Sequence, residues 1–415
     1  MKRIRIAGVG TGGIFGAHLR AYPEIPQFQL CALVDPNEDN IGRTQLDMWQ
    51  LYEEKAQQAE AAGDARAADR LRNDVASVKT YSNLSALLAD EKPDAVDICT
   101  QPKDHAPLAI EALDAGLHVM CEKPMARSYY DCLRILEAVQ RSGKLYQHNE
   151  NWLWEPFYYT AKKLIDAGWI GEPVAMYLAT AHGGPEGNPN FWQSGIGGGG
   201  ALLDCGIHAV AASWFLSGLS KRPTMVKAAQ PIGITVRMPE RIIDGKFDSV
   251  RVEDDGHILI RFEDPATSAW STAHVEGSWS HRDSPETMVC GTTGFLRMHE
   301  DEEGKHWAVV TDAHGAERSV AASGPTWMPW PSSFYGEILN FAECIRAGTR
   351  SVSDETFGLE CQVIVGAAYL SQLRGGKGVS PTAFRKFAQD LRKRHPEDAD
   401  DRLVEALLCA VRPSA

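Results

Sequence analysis

A chain of 415 residues can bury a large core and by size divides into two domains. Hydrophobic content of 44% and charged content of 23% are those of a globular protein in water, and a net charge of -13 with no long basic run excludes nucleic acid as a general partner. No apolar run approaches the length of a membrane span, and the nine cysteines are scattered singly without a C-x-x-C pair, so reduced thiols, a cytoplasmic location and no metal site are expected.

Met1-Lys2-Arg3-Ile4 runs straight into the first apolar segment, which leaves no signal peptide to expect. Residues 4–9 read as a short buried strand, and Gly8-x-Gly10-x-x-Gly13 falls where that strand turns into a helix from about Ile14. In such a turn Gly8 makes the bend, Gly10 lets a pyrophosphate approach bare backbone and Gly13 allows close helix packing. Thr11, Gly12 and Ile14 complete the loop, whose helix N-terminus turns amide groups toward phosphates. Residues 28–34 make a second strand ending in Asp35, about 20 residues on, where a carboxylate accepts ribose hydroxyls and repels a 2′-phosphate. NAD is therefore expected in preference to NADP.

Segment 43–76, rich in Ala, Glu, Gln, Arg and Asp and broken at Gly63-Asp64, predicts a helical hairpin inserted before the third strand, with a surface or subunit contact as its role. Strand 79–82, helix 84–89, strand 95–99, helix 106–115 closed by Gly116, and strand 117–121 follow. This alternation predicts a doubly wound parallel sheet, α/β in class, with ligands beyond the carboxyl ends of its strands. Asp35, Thr100, Pro102, His105 and Glu122-Lys123-Pro124 all fall at such ends. Residues 1–126 are thus the expected Rossmann domain, the NAD-binding one.

After a helix at 129–141, strand-length pieces at 172–181, 224–230, 257–262, 269–276, 286–290 and 295–299 predict a large, mostly antiparallel open sheet. Helices 204–216, 334–347 and 357–373 would cover one face. This α+β region, 127–380, is the expected substrate-binding and oligomerisation domain, and 381–415 reads as a charged helical extension broken at Pro396.

Lys123 follows a buried strand directly and precedes a proline that fixes the backbone. A lysine is usually a solvated surface residue, but one at the carboxyl edge of a dinucleotide sheet can hydrogen-bond a substrate hydroxyl and stabilise alkoxide charge. Downstream, a glycine run at 197–200 leads into Ala201-Leu202-Leu203-Asp204-Cys205-Gly206-Ile207-His208. Asp204 and His208 are one helical turn apart, a spacing that suits a general base oriented by a carboxylate. Alone, the pair reads first as a cap or a satisfied core pair; the combination with Lys123 and the glycine turn reverses that order.

On these motifs the chain resembles the glucose-fructose oxidoreductase, inositol dehydrogenase and rhizopine catabolism (Gfo/Idh/MocA) family over nearly all of residues 1 to 380. The resemblance implies an N-terminal Rossmann domain, a C-terminal open-sheet domain often used for oligomerisation, Lys123 as catalytic lysine, Asp204 as its partner, His208 as base and Glu122 at the nicotinamide ribose. Two places depart from the pattern. Ala211 stands where an aspartate often follows the histidine, and Asn151-Trp152-Leu153-Trp154 replaces Asn-x-Arg-Phe. Loss of that arginine argues against phosphorylated or acidic substrates.

Asn151, Trp152, Trp154, His182 and Trp192 join Lys123, Asp204 and His208 as expected substrate contacts, with Phe191, Trp327 and Trp330 as further aromatic candidates. Aromatic faces suit the C-H faces of sugar rings, although ordinary packing accounts for roughly half or more of such residues. The expected activity is hydride transfer between NAD and a secondary ring hydroxyl of a neutral sugar, glycoside or cyclitol; the family resemblance, and not the spacing, points to ring position three. A glycoside-cleaving enzyme that recycles tightly bound NAD, a non-catalytic sugar or dinucleotide sensor, and a reductase running toward the alcohol stay open. A homodimer or homotetramer is expected, since an open sheet with an apolar face needs covering.

Overall fold

The N-terminal part alternates strand and helix. β1 (Ile4–Val9) passes through the glycine turn into α1 (Phe15–Ala21); β2 (Phe28–Val34), α2 (Glu38–Ala61), α3 (Ala65–Ser77), β3 (Lys79–Tyr81) and α4 (Leu84–Asp90) follow. Then come β4 (Ala95–Ile98), α5 (Pro102–Asp114), β5 (His118–Glu122), α6 (Tyr129–Ser142) and β6 (Tyr146–Asn149). The computed structural model describes residues 2–229, 240–243, 245–250, 252–281, 284–324 and 332–411. Its six N-terminal strands pair in parallel in the order β3-β2-β1-β4-β5-β6. Strand order reverses between β1 and β4, which creates a crevice beyond their carboxyl ends, the place where such sheets take ligands.

The inserted hairpin starts earlier than its composition suggests. Asn37 caps α2 by accepting the Asp39 amide at 2.9 Å, and Asp64 caps α3 after Gly63 at φ 81°. Met48, Tyr52, Ala56, Ala68 and Leu71 turn inward to Phe28 and Leu30, so this face of the hairpin belongs to the core of the sheet. Leu46 and Trp49 are left exposed on the other side.

Farther along run α7 (Pro156–Asp166), β7 (Pro173–Ala181), α8 (Ser194–Gly197), α9 (Ala201–Asp204), α10 (Gly206–Ser217) and β8 (Arg222–Ala228). A hairpin of β9 (Glu240–Ile243) and β10 (Lys246–Ser249) precedes β11 (Asp255–Glu263), β12 (Trp270–Ser278), β13 (Met288–Gly291), β14 (Gly294–Glu300), β15 (His306–Asp312) and β16 (Glu317–Ala321). Helices α11 (Ser332–Ala347), α12 (Glu355–Leu373), α13 (Pro381–Arg394) and α14 (Ala399–Leu408) end the chain. Eight of these strands form one sheet, β16-β15-β14-β13-β7-β12-β11-β8, antiparallel except where β12 runs parallel to β7. Burial along β11 alternates residue by residue, as a sheet with one covered face requires. The covering element is α10, apolar on nearly every side; Gly206 at its start lets it approach Gly277 of β12.

Contacts divide the chain into two units. One takes Met1–Met125, Leu133–Asn151 and Pro329–Phe357; the other takes Ala126–Cys132, Trp152–Met328 and Gly358–Ala415. The first therefore reaches past residue 126: β6 extends its sheet, and α11 inserts Ile338, Phe341 and Ala342 into its core beside Phe15 and Phe28. Among the described residues no single helix is long and apolar enough to cross a membrane.

Candidate functional site

In the first unit the three fingerprint glycines do not divide their work as the spacing suggests. Gly10, at φ 83°, makes the turn, and a Cβ there would lie 2.6 Å from the Thr100 methyl. Gly8 supplies the close packing, because a Cβ on it would sit 2.3 Å from the Phe15 ring of α1. Around Gly12 and Gly13 a Cβ would meet nothing within 4 Å. Open space therefore lies where a dinucleotide phosphate would rest, ahead of Ile14 and α1.

Asp35, nearly buried, holds this turn to β2. Its Oδ2 accepts from the Thr11 amide at 2.8 Å and the Thr11 hydroxyl at 3.2 Å, and its Oδ1 accepts from the Asn37 amide at 2.8 Å. Thr100 follows β4 and carries a buried hydroxyl oxygen without a hydrogen-bond partner, a polar atom left over for a ligand. Pro102 opens α5. The residues present thus fit a dinucleotide. His105 does not reach it directly: its ring is fully buried, Nδ1 at 2.9 Å from the Pro124 carbonyl and Nε2 at 3.1 Å from the Thr100 carbonyl. Burial lowers its pKa although both carbonyls favour the charged form. His105 is a clasp between two loops, a correction to its expected place at the cofactor.

At the end of β5, Glu122 points inward. Oε1 lies 3.0 Å from His18 Nε2 and Oε2 accepts the Lys123 amide at 3.0 Å, so the ribose contact expected of Glu122 meets a carboxylate engaged inside the protein. Lys123 is half-buried, and the peptide between it and Pro124 is cis.

In the second unit three of the four glycines at 197–200 are packed against protein, while a Cβ on Gly197 would meet nothing within 4 Å. A Cβ on Gly198 would lie 2.0 Å from the Arg127 carbonyl oxygen, one on Gly199 2.5 Å from the Tyr369 hydroxyl, and one on Gly200 1.9 Å from the Glu253 carbonyl oxygen. The fully buried Glu253 carboxyl accepts from the amides of Gly200 and Leu202, both at 3.0 Å, and from the Tyr369 hydroxyl at 2.6 Å. Burial pushes it up to about 7 against the pull of those donors. The run thereby fixes the start of α9, and Asp204 ends it.

The single helix expected at 204–216 is two. Cys205 separates α9 from α10, and the axis bends by 49° there, with the Cys205 thiol donating to the Ala201 carbonyl at 3.1 Å. Asp204 and His208 therefore stand on different helical pieces. Asp204 Oδ2 lies 4.0 Å from His182 Nε2; because His182 Nδ1 accepts the Gly184 amide at 3.1 Å, the ring proton is on Nε2 and faces that carboxylate. His208 stacks on Trp152, ring centroids 5.3 Å apart and planes 14° from parallel, and Trp152 also stacks with Tyr158 at 4.8 Å.

The other tryptophans expected at the substrate sit deeper: Trp154 is 6% exposed and Trp192 3%, the latter donating to the Pro185 carbonyl at 3.2 Å and set edge-on to Trp279, so both pack in the core. Phe191 is partly exposed beside Trp279. Asn151, in the first unit, donates to the Ser333 hydroxyl at 3.2 Å. Trp327 and Trp330 lie outside the described residues.

Three buried groups escaped the sequence reading: His18, Asp97 and Glu337, clustered around Glu122. Each is a charged type at an apolar position, Asp97 between Val96 and Ile98 of a buried strand most plainly, and that mismatch was the available signal.

A family model described as an oxidoreductase family with NAD-binding Rossmann fold matches residues 4–150, and a GFO/IDH/MocA C-terminal domain model matches 158–297. D-apiose dehydrogenase of Paraburkholderia graminis is 26% identical over 390 residues, covering 90% of this chain and 89% of that protein. Levoglucosan dehydrogenase of Pseudarthrobacter phenanthrenivorans is 28% identical over 295 residues, 67% of this chain and 69% of that one. Among solved structures, a levoglucosan dehydrogenase in complex with NADH superposes at a TM-score of 0.70 and 21% identity, covering 91% of this chain and 99% of the other, a likeness of fold.

Proposed function

Because the chain belongs to the Gfo/Idh/MocA family of NAD-binding oxidoreductases, we propose that it dehydrogenates a secondary ring hydroxyl of a neutral sugar, glycoside or cyclitol, with ring position three as the first one to examine. The observation that carries the reading is the open cradle over Gly12 and Gly13 at the switch point of a sheet that also ends, at β5, in Lys123. Relatives named for D-apiose and levoglucosan support the substrate class, and so does the uncharged Leu153 where an anion-binding arginine would stand.

Bound NAD supplies a hydride acceptor. Gly10, Gly12, Gly13 and Ile14 receive its phosphates, Thr11 and Asp35 its ribose, and the Thr100 hydroxyl an unmet hydrogen bond. Lys123 donates to the substrate hydroxyl oxygen and stabilises its developing negative charge. His208, its ring plane set by Trp152, takes the hydroxyl proton. Asp204 supports the positive charge this creates, with His182 beside it.

The test mixes purified protein with NAD and a panel of neutral sugars, inositols and glycosides, following NADH absorbance together with product mass. NADH growth with a product two hydrogens lighter upholds the proposal; glycoside cleavage without NADH replaces it with redox-assisted cleavage, and silence across the panel overturns the substrate class. Lys123→Ala and His208→Ala are expected to lower turnover about 10²–10⁴-fold with NAD affinity retained. Wild-type turnover in both variants removes these roles. A cytoplasmic homodimer or homotetramer belongs to the same proposal, and a monomer in light scattering removes that part.

A further inference from the structure

Inside the first unit several ionisable side chains converge on one imidazole. His18 of α1 is fully buried, with Nδ1 2.9 Å from Asp97 Oδ2 on β4, Nε2 3.0 Å from Glu122 Oε1 on β5, and Nε2 3.7 Å from Glu337 Oε1 on α11. Tyr22 donates to the same Asp97 oxygen at 2.7 Å, and the Cys99 thiol lies 3.4 Å from Asp97 Oδ1. Phe334 covers the imidazole, ring centroids 5.5 Å apart.

Packing alone does not select such a cluster. Apolar side chains of similar volume are often as stabilising as a buried ion pair, and here Glu337 adds a fully buried carboxyl whose two oxygens make no hydrogen bond. The consequence falls on Glu122. One of its oxygens is held by His18 and the other takes the backbone amide of Lys123, so the carboxylate is fixed from two sides immediately before the lysine.

We propose that His18 is a positioning residue for Lys123: clamped between Asp97 and Glu122, its imidazolium keeps Glu122 in place, and Glu122 sets the backbone and the electrostatic surroundings of the lysine. Burial opposes a charge on His18, but the negative charges facing it, Asp97 first, overturn that effect and its pKa stands well above that of an ordinary histidine. Burial, and next the charge of Glu122, push the Glu337 carboxyl well up, so Glu337 is the neutral member. The groups facing the imidazole are therefore Asp97 and Cys99 from β4 and its end, Glu122 from β5, Tyr22 from the turn after α1 and Glu337 from α11, with Glu150 acting on Glu337. Removing the imidazolium takes a charge partner from Asp97 and the Nε2 contact from Glu122, which is then no longer held from both sides.

The inference rests on the role given to Lys123 above, yet its test needs no substrate. Reductive methylation of Lys123 in the full chain is followed against pH by peptide mass in wild type, His18→Leu, Glu122→Gln and the double variant. Glu122→Gln removes a negative charge beside the lysine, so its labelling midpoint is expected to fall by about one pH unit; His18→Leu removes a cation and releases the carboxylate, so the midpoint is expected to rise by a comparable amount. In the double variant the midpoint matches that of Glu122→Gln. An unmoved midpoint in His18→Leu, or a shift in the double variant equal to the two single shifts combined, overturns the proposal and leaves His18 a structural residue. Should His18→Leu fail to fold, His18→Gln removes the charge with a polar side chain of similar size and is held to the same rise. Midpoint shifts in a protein that oxidises no sugar uphold this inference while the substrate reading fails.

Discussion

Two glycine-rich segments, 8–13 in the first unit and 197–200 in the second, look alike in sequence and are used in opposite ways. Around Gly12 and Gly13 an added Cβ meets nothing within 4 Å, whereas at Gly198, Gly199 and Gly200 it meets protein at 2.0, 2.5 and 1.9 Å. Gly12 and Gly13 are bare with space for a ligand to lie on the backbone; Gly198, Gly199 and Gly200 are bare so that Arg127, Tyr369 and Glu253 can. A run of glycines states that something comes close and leaves open whether it is the protein itself.

The sharpest way to break this comparison is Gly200→Ala. Its Cβ would collide with the backbone oxygen of Glu253, which cannot swing aside, and would disturb a carboxyl bound to two amides and a phenol. A loss of about 4 kcal/mol or more is expected, enough to deplete folded protein. A wild-type denaturant midpoint for this variant means that the run is not packed as described.

The carboxyl at the centre of that packing gives the next effect. Glu253 is raised from 4.5 to about 7, so between those values the native chain binds the proton that the unfolded chain has released. Stability contributed here is complete below pH 4.5 and is lost as pH rises toward 7, on the order of 3 kcal/mol across the window. Glu253→Gln carries no such proton. Other groups titrate in the same range, so the quantity to measure is the difference between wild type and variant in urea midpoint from pH 4.5 to 8. A difference that stays flat shows Glu253 ionised throughout.

Much of the first unit could be read because its strands are apolar and its turns carry glycine: β1, β2, β4 and β5 fall within a residue of the pattern. Strand β6 could not, since Tyr-Gln-His-Asn is a polar string. It is buried only because partners distant in sequence satisfy it, Gln147 donating to the Glu337 carbonyl and the His148 amide to Ser353. Strands β15 and β16 went unread too, the last being an exposed, charged strand at the sheet edge. In the site, spacing offers Lys123, Asp204 and His208 as candidates, but the break at Cys205 depends on α10 closing onto β12 through Gly206 and Gly277, which no spacing records. The sequence offers Trp152, Trp154 and Trp192 alike as substrate contacts, and only side-chain direction separates Trp152, stacked on His208, from Trp154 and Trp192 in the core.

Gly13→Ala brings the comparison back to the first segment with the smallest effect and the clearest division. Fingerprint logic gives this glycine to helix packing; the structure gives that work to Gly8, against Phe15, and leaves Gly13 facing open space. If Gly13 packs the helix, alanine lowers the melting temperature and affects NAD only through lost folded protein. If it faces the ligand, the melting temperature stays within about 2 °C, since alanine costs a helix entrance little. The methyl then stands in the phosphate cradle, and NAD binding by calorimetry weakens about tenfold, near 1.4 kcal/mol. Gly8→Ala is the mirror control, because its Cβ would press into a buried phenyl ring and stability falls first. Equal behaviour of the two variants would mean that the first segment, like the second, is filled by the protein.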